Sequence, residues 1–273
     1  MTKLRRMAVG LWRLQTVLSA GASLVMLVAP ERVFVLLVAQ APGTTEQVAV
    51  DMIRMTSIYP LALSGFSLLA ARPRSGAVQR WFAAGFVGVF GMLSGGWIWV
   101  VMQGRYGVGG TALAATFAAL LLCNLGLAAQ ARPAAPPGLG NTPSPPPGTR
   151  GTWVAQGIYW EVFAWIFVIS PMGTIGRQVK DVSWMTALAR DQTMLLGCWS
   201  VGFGIFCLLA AWPLRTHVWR GFAWLFCAFL TIYFPVFSSV ALSGRYILAA
   251  MLFLIPMGVF LLLNARLARY YLR

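Results

Sequence analysis

Eight apolar runs, each long enough to cross a bilayer, constrain this chain more than any other feature of its sequence. They lie near residues 8–29, 50–71, 81–102, 110–131, 153–173, 192–212, 219–242 and 246–265. A helix rising 1.5 Å per residue needs about 20 predominantly apolar residues to cross a hydrocarbon core about 30 Å thick. Water is absent there, so each segment must satisfy its own backbone groups, and an α-helix does so. The charge content agrees: 10% of the residues are Asp, Glu, Lys or Arg, where a soluble domain carries about 25%. MTKLRR precedes the first run, as it would a secretory signal. No clean small-residue cleavage site follows, so the first run is read as a retained helix. The expected fold class is an all-α polytopic membrane protein with eight transmembrane helices.

The chain also repeats itself. FSLLAARP at 66–73 returns as FCLLAAWP at 206–213, with six of eight positions identical across a shift of 140. The same shift pairs Asp51 with Asp191, Arg80 with Arg220, Phe82 with Phe222, Phe86 with Phe226 and Asn124 with Asn264, and it pairs GRY at 104–106 with GRY at 244–246. A shift of 141 pairs Gly10, Trp12, Gln15 and Pro30 with Gly151, Trp153, Gln156 and Pro171. Two four-helix repeats are therefore expected, residues 1–131 and 151–273. An even number of crossings keeps both copies the same way up, which makes the repeat parallel, about an axis along the membrane normal. Residues 132–150 hold seven prolines in nineteen positions. That composition favours extended polyproline II at about 3.1 Å per residue, a linker reaching well over 40 Å; the alternative is an SH3-type ligand.

A net charge of +15 would suggest nucleic acid in a soluble protein, but its distribution points to topology. With a cytoplasmic N-terminus, thirteen basic residues fall on inner segments and six on outer loops, while all six acids lie outside or within the membrane. The positive-inside rule then places both termini in the cytoplasm. The basic inner segments would attract anionic lipid headgroups, and no nucleic-acid partner is expected. Alanine-, glycine- and arginine-rich wording suggests a high-GC bacterium and its inner membrane. Of the two long outer loops, the first has an apolar run too short to span, expected to lie at the interface or dip back in. The second, RQVKDVSWMTALARD, reads as a short surface helix with Trp184 at headgroup depth.

Few residues carry chemistry. His217 is the only histidine and is placed in a short loop at 214–218, so haem, dinuclear-metal and serine–histidine sites have no ligand set, and no haem or metal is expected. Cys123, Cys198, Cys207 and Cys227 all fall within spans, without a CxxC pair, and read as small hydrophobes. Glu161, about 13 Å into the fifth helix at 1.5 Å per residue, is a candidate proton or ligand site; the structural alternative is a neutral acid bonded to a neighbouring helix. Its aligned residue is Ala20. Arg54, aligned with Met194, is the other candidate ligand or proton site; its structural alternative is to snorkel outward or pair with Asp51 three residues back. Asp51 and Asp191 are expected as helix caps. Gln15 with Asn124, and Gln156 with Asn264, are expected as interhelical polar pairs. The third helix carries Gly85, Gly88, Gly91, Gly95 and Gly96, with Gly91–Gly95 as a small-residue packing pair; Pro235 predicts a kink in the seventh helix.

Pro30, Arg54 and LLAARP give the first 130 residues a pattern that resembles the DoxX-like and BphX-like group of small bacterial four-helix membrane proteins. The second half departs from it, with Met194 in place of the arginine. The resemblance implies an accessory membrane role and supplies no catalytic residues. The sequence thus favours a non-catalytic subunit, packing against partner membrane subunits or binding a lipid, quinone or pigment. A transporter using Glu161 between the repeats is the alternative, and a lipid-modifying enzyme lacks an acid–base pair.

Overall fold

A computed structural model of the protein describes residues 3–38, 43, 46–72, 76–130, 147–211 and 216–270. Most of the linker 132–150, and the last residues of the twin octapeptides (73 and 212–213), lie outside the described residues. The helices are α1 (Lys3–Val28), α2 (Pro30–Val38), α3 (Gln47–Thr56), α4 (Ile58–Ala71), α5 (Gly76–Met102), α6 (Val108–Gln130), α7 (Thr149–Ile169), α8 (Pro171–Thr174), α9 (Ala187–Ala210), α10 (Thr216–Ala241) and α11 (Leu254–Tyr270). Among the described residues eight spans are long and apolar enough to cross a membrane. The chain is a multi-pass helical membrane protein.

The second span is α3 and α4 joined at Ser57, and its break has a local cause. Pro60 has no N–H to give the Thr56 carbonyl, so the helical ladder is interrupted there. Ser57 bridges the joint: its N–H donates to the Ile53 and Arg54 carbonyls, and its Oγ donates to Arg54 O at 2.6 Å. In α10, by contrast, Pro235 lies inside one continuous helix, Thr216–Ala241. His217 belongs to the first turn of α10 rather than to a loop.

Burial sorts the helices into an inner and an outer set. The α3–α4 span and α9 are mostly buried, and α5 and α10 about half so, whereas α1, α6 and α11 are largely exposed. Their outward residues are apolar, Val17, Leu24, Leu122 and Leu262 among them, as lipid contact requires. Across the middle, α5 packs on α9, α10 packs on α4 and α3, and α3 packs on α9. The N-terminal and C-terminal halves are thus interlocked through their second and third spans.

The α5–α9 seam uses small residues, though not the expected pair. A Cβ on Gly85 would meet Leu209 at 2.7 Å, one on Gly88 would meet Ile205 at 2.8 Å, and one on Gly96 would meet Cys198 at 2.8 Å. Gly91 and Gly95 have open space around them, so the packing face is the 85/88/96 stripe, not the Gly91–Gly95 pair. At the far end, α9 finds partners for its last carbonyls: Arg150 Nε donates to Ala211 O at 3.2 Å, and Trp219 Nε1 to Ala210 O at 3.0 Å. These groups would otherwise lack intrahelical partners.

Contacts between the halves come in register with the sequence shift. Phe66 stacks on Phe206 at 4.2 Å and Phe82 on Phe222 at 5.9 Å; each pair is 140 residues apart. Phe86 meets Phe206 at 5.2 Å, and Phe226 meets Phe66 at 6.0 Å. The outer loops also match: Gly107 N donates to Leu37 O at 2.8 Å, and Ile247 N donates to Gln178 O at 2.7 Å. In the first half α2 supplies that carbonyl end. In the second half the outer segment is α8 with two 3-10 turns, Ile175–Arg177 and Val182–Trp184, in place of the expected surface helix.

Candidate functional site

Two reciprocal ion pairs clamp the outer ends of the interlocked spans. Arg105 Nε and Nη2 donate to Asp191 Oδ2 and Oδ1 at 2.9 and 2.7 Å, and Arg245 Nε and Nη2 donate to Asp51 Oδ2 and Oδ1 at 2.7 and 2.7 Å. Each half's arginine reaches the other half's aspartate. Gly104 and Gly244 have φ of +72° and +87°, a left-handed turn that glycine adopts without a Cβ penalty. That turn follows α5 and α10 and sets the next residue, Arg105 or Arg245, facing back over the spans; this is what the recurring GRY encodes. Hydrogen bonding to the aspartates holds both guanidiniums above their ordinary pKa.

Asp51 and Asp191 are therefore not helix caps. Helices α3 and α9 begin about one turn earlier than the apolar runs suggest, at Gln47 and Ala187, so each aspartate is the fifth residue of its helix. The capping role at α9 falls to Thr186, whose Oγ1 accepts from Ala189 N at 3.2 Å. A buried carboxylate inside a helix has no free N–H to accept from, and the bidentate guanidinium supplies the missing donors. Asp51 also accepts from Tyr246 Oη at 3.2 Å. Arg54, half-buried, takes no part in an ion pair with Asp51 or with Glu161.

The expected glutamine–asparagine pairs form in one half only. Asn264 Nδ2 donates to Gln156 Oε1 at 2.7 Å. In the first half Asn124 and Gln15 do not bond each other. Gln15 Oε1 accepts from Ser67 Oγ at 3.4 Å, and its Nε2 has no partner. What both halves share is an indole: Trp12 Nε1 donates to Asn124 Oδ1 at 3.2 Å and Trp153 Nε1 to Asn264 Oδ1 at 2.9 Å. Glu161 lies half-buried on α7, its Oε1 enclosed without a partner and close enough to Gly204 of α9 that a Cβ there would meet it at 2.7 Å. Cys198, Cys207 and Cys227 are buried free thiols, and Cys123 is exposed on α6. Among the described residues no three His, Cys, Asp or Glu side chains gather as metal ligands would.

A cavity of about 280 Å³ lies in the N-terminal half, walled by α1, α2, α3, α4, α5, α6 and α9. An engineered apolar cavity of about 150 Å³ already admits benzene, so this one holds a body roughly twice that size. Its lining is almost wholly apolar, with Gln192, Ser19, Thr56 and Thr116 as the polar members. Between α1 and α6 the lining residues Leu18, Ala22 and Thr116 are exposed on the helix surface, so the cavity opens sideways toward lipid. Neither the cavity nor its walls were legible as a site in the sequence. The usable signal was a difference between residues 141 apart: Ser19, Ala22 and Met26 against Trp160, Phe163 and Phe167.

The fold defines a polytopic helical membrane protein, with an apolar cavity among its spans. No family model matches the chain, and no curated protein or solved structure matches it either.

Proposed function

We propose that the protein is an accessory membrane protein that holds a lipophilic molecule within the bilayer. The observation that carries this reading is the apolar cavity of about 280 Å³ opening between α1 and α6. Ligand sites of this kind are concave, mostly apolar and furnished with a few polar groups. In this reading the chain is a tandem duplication of a four-helix unit, residues 1–131 and 151–273, joined by the linker 132–150 and carried in a bacterial inner membrane with cytoplasmic termini. The reciprocal Arg105–Asp191 and Arg245–Asp51 pairs support the duplication, because the 140 shift carries Arg105 onto Arg245 and Asp51 onto Asp191, so that the two pairs are equivalent to each other. The likeness of the first half to DoxX-like proteins supports an accessory role. Extraction of the protein in mild detergent, followed by mass analysis of what leaves with it, tests the reading. One retained lipophile or a stoichiometric partner subunit is expected, and a bare monomer would overturn it.

A second reading rests on Glu161, whose Oε1 is enclosed without a partner inside a membrane span. A carboxyl so placed is a candidate proton carrier, and the function would then be proton-coupled transport. Glu161→Gln abolishes pH-dependent flux in proteoliposomes if this is right; unchanged flux, or none in the wild type, excludes it.

A further inference from the structure

Among the polar residues of the cavity's lining, one is a buried amide with a free acceptor, and it identifies the chemistry of the occupant. Gln192 lines the cavity and is 4% exposed. Its Nε2 donates to Tyr106 Oη at 3.0 Å. Its Oε1 accepts no hydrogen bond among the described residues, and it is not one of the enclosed unpartnered atoms. A buried carbonyl oxygen without a donor is costly to leave unmet, and the open space beside this one is the cavity. Ser19 lies on the same lining with no hydroxyl bond among the described residues. From Trp97 and Leu113 near the Gln192 end, the lining continues seven residues along each helix to Phe90 and Leu120, about 10 Å at the helical rise. The space is thus elongated, with an amide at the end beside the Arg105–Asp191 pair and a mostly apolar wall below it, where the Thr56 and Thr116 hydroxyls already donate to Met52 O and Ala112 O.

The place that the sequence shift makes equivalent to this cavity, beside α7, α11 and α3, has neither the space nor the amide. Trp160, Phe163 and Phe167 stand where Ser19, Ala22 and Met26 stand in the first half, and Phe253 and Phe260 stand where Leu113 and Leu120 do. These rings pack on one another: Phe163 lies 5.0 Å from Phe253 and 4.3 Å from Phe167, and Tyr159 lies 5.5 Å from Phe260. The position equivalent to Gln192 is Met52. A void left by poor packing would have no reason to acquire a glutamine on a different helix. Small residues on α1 and an amide with a free oxygen on α9 occur together, and neither occurs at the place the shift makes equivalent.

Resting on the ligand-binding reading above, we propose that the cavity takes a lipophile carrying a hydroxyl on an apolar body, entering from the bilayer between α1 and α6, with the hydroxyl donating to Gln192 Oε1. The apolar body lies along α5 and α6 toward Phe90 and Leu120. A quinol and an aliphatic lipid alcohol both present this chemistry.

Isothermal titration of the full chain in detergent with 4-octylphenol, octylbenzene and 1-decanol tests it. The first two probes differ by one hydroxyl. 4-Octylphenol is expected to bind with one-to-one stoichiometry and about three- to tenfold more tightly than octylbenzene, the difference a neutral hydrogen bond makes. Gln192→Met, which installs the residue of the other half, erases that difference and leaves octylbenzene unchanged. Ala22→Phe, again the residue of the other half, abolishes binding of all three. Tighter binding of the phenol than of decanol indicates the quinol source, and the reverse indicates a lipid alcohol. Equal affinity for octylphenol and octylbenzene in the wild type, or discrimination that survives in Gln192→Met, overturns the hydroxyl inference while leaving the cavity a ligand site. Failure of all three probes to bind the wild type overturns both.

Discussion

The first helices of the two halves, α1 and α7, share a frame and differ in what they fill. Both carry a tryptophan bonded to an asparagine on the fourth span, Trp12 with Asn124 and Trp153 with Asn264. Both carry a glutamine one turn further on, and both are followed by a proline that opens the next helix. Beyond that frame α7 places Tyr159, Trp160, Phe163 and Phe167 against its neighbours, and α1 places Leu18, Ser19, Ala22 and Met26 around a cavity. The common contacts lie where a helix must be oriented, and the differences lie where the interior can be either filled or left open. The interior beside α7 is therefore packed with rings, while the equivalent interior beside α1 is left open.

This contrast can be broken most severely by emptying the filled half. Trp160 is fully buried and touches Tyr59, Phe203, Phe229 and Tyr233. Trp160→Ala is expected to cost about 3–5 kcal/mol, the usual penalty for removing a large buried ring, measured by thermal unfolding in detergent. Ser19→Ala, at the equivalent position of α1, is expected to leave the melting temperature within a degree or so of wild type, since an exposed or half-buried change of this size stays within about 0.5 kcal/mol. Similar losses at the two positions would remove the distinction between the halves.

Next in size are the two clamps, alike in geometry but unequal in burial. The Arg245–Asp51 side chains are 26% and 2% exposed, and those of Arg105–Asp191 are 33% and 9% exposed. Breaking a fully buried pair costs about 3–5 kcal/mol, and an exposed one is worth about 0–1 kcal/mol. Asp51→Ala is accordingly expected to destabilise by about 2–3 kcal/mol, and it also strands the Tyr246 hydroxyl. Asp191→Ala should cost about 1–2 kcal/mol, between the same limits. A double-mutant cycle with each arginine isolates the coupling, and a larger coupling for Arg105–Asp191 than for Arg245–Asp51 would contradict this ranking. The smallest effect distinguishes the two glutamines. Gln156→Ala loses the 2.7 Å bond from Asn264, worth about 1 kcal/mol within a membrane bundle. Gln15→Ala is expected to change stability less, because Gln15 accepts only a 3.4 Å contact and leaves Nε2 unpartnered.

The spans were legible because a hydrocarbon solvent leaves a long, continuous signal, and every apolar run became a crossing. Their ends were less so: Gln47 and Ala187 begin helices that the runs alone start later, since polar residues such as Asp51 and Gln192 fit within a span once a neighbour bonds them. That shift of one turn is what converted Asp51 and Asp191 from expected caps into ion-pair partners. Both GRY segments were visible, but their partners were not, because an ion pair across 86 or 194 residues is fixed by how the halves interlock. The cavity was hidden for a related reason. Ser19 and Ala22 are unremarkable on a lipid-facing helix, and they acquire meaning only beside Trp160 and Phe163.

The central claim is that the open half holds a guest and the filled half does not. Native mass spectrometry of the full chain, released gently from detergent, tests this most directly when wild type, Ala22→Phe and Phe163→Ala are compared. Wild type is expected to retain one lipophilic molecule per chain, Ala22→Phe none, and Phe163→Ala at least the one that wild type retains. Equal retention by wild type and Ala22→Phe would contradict the account.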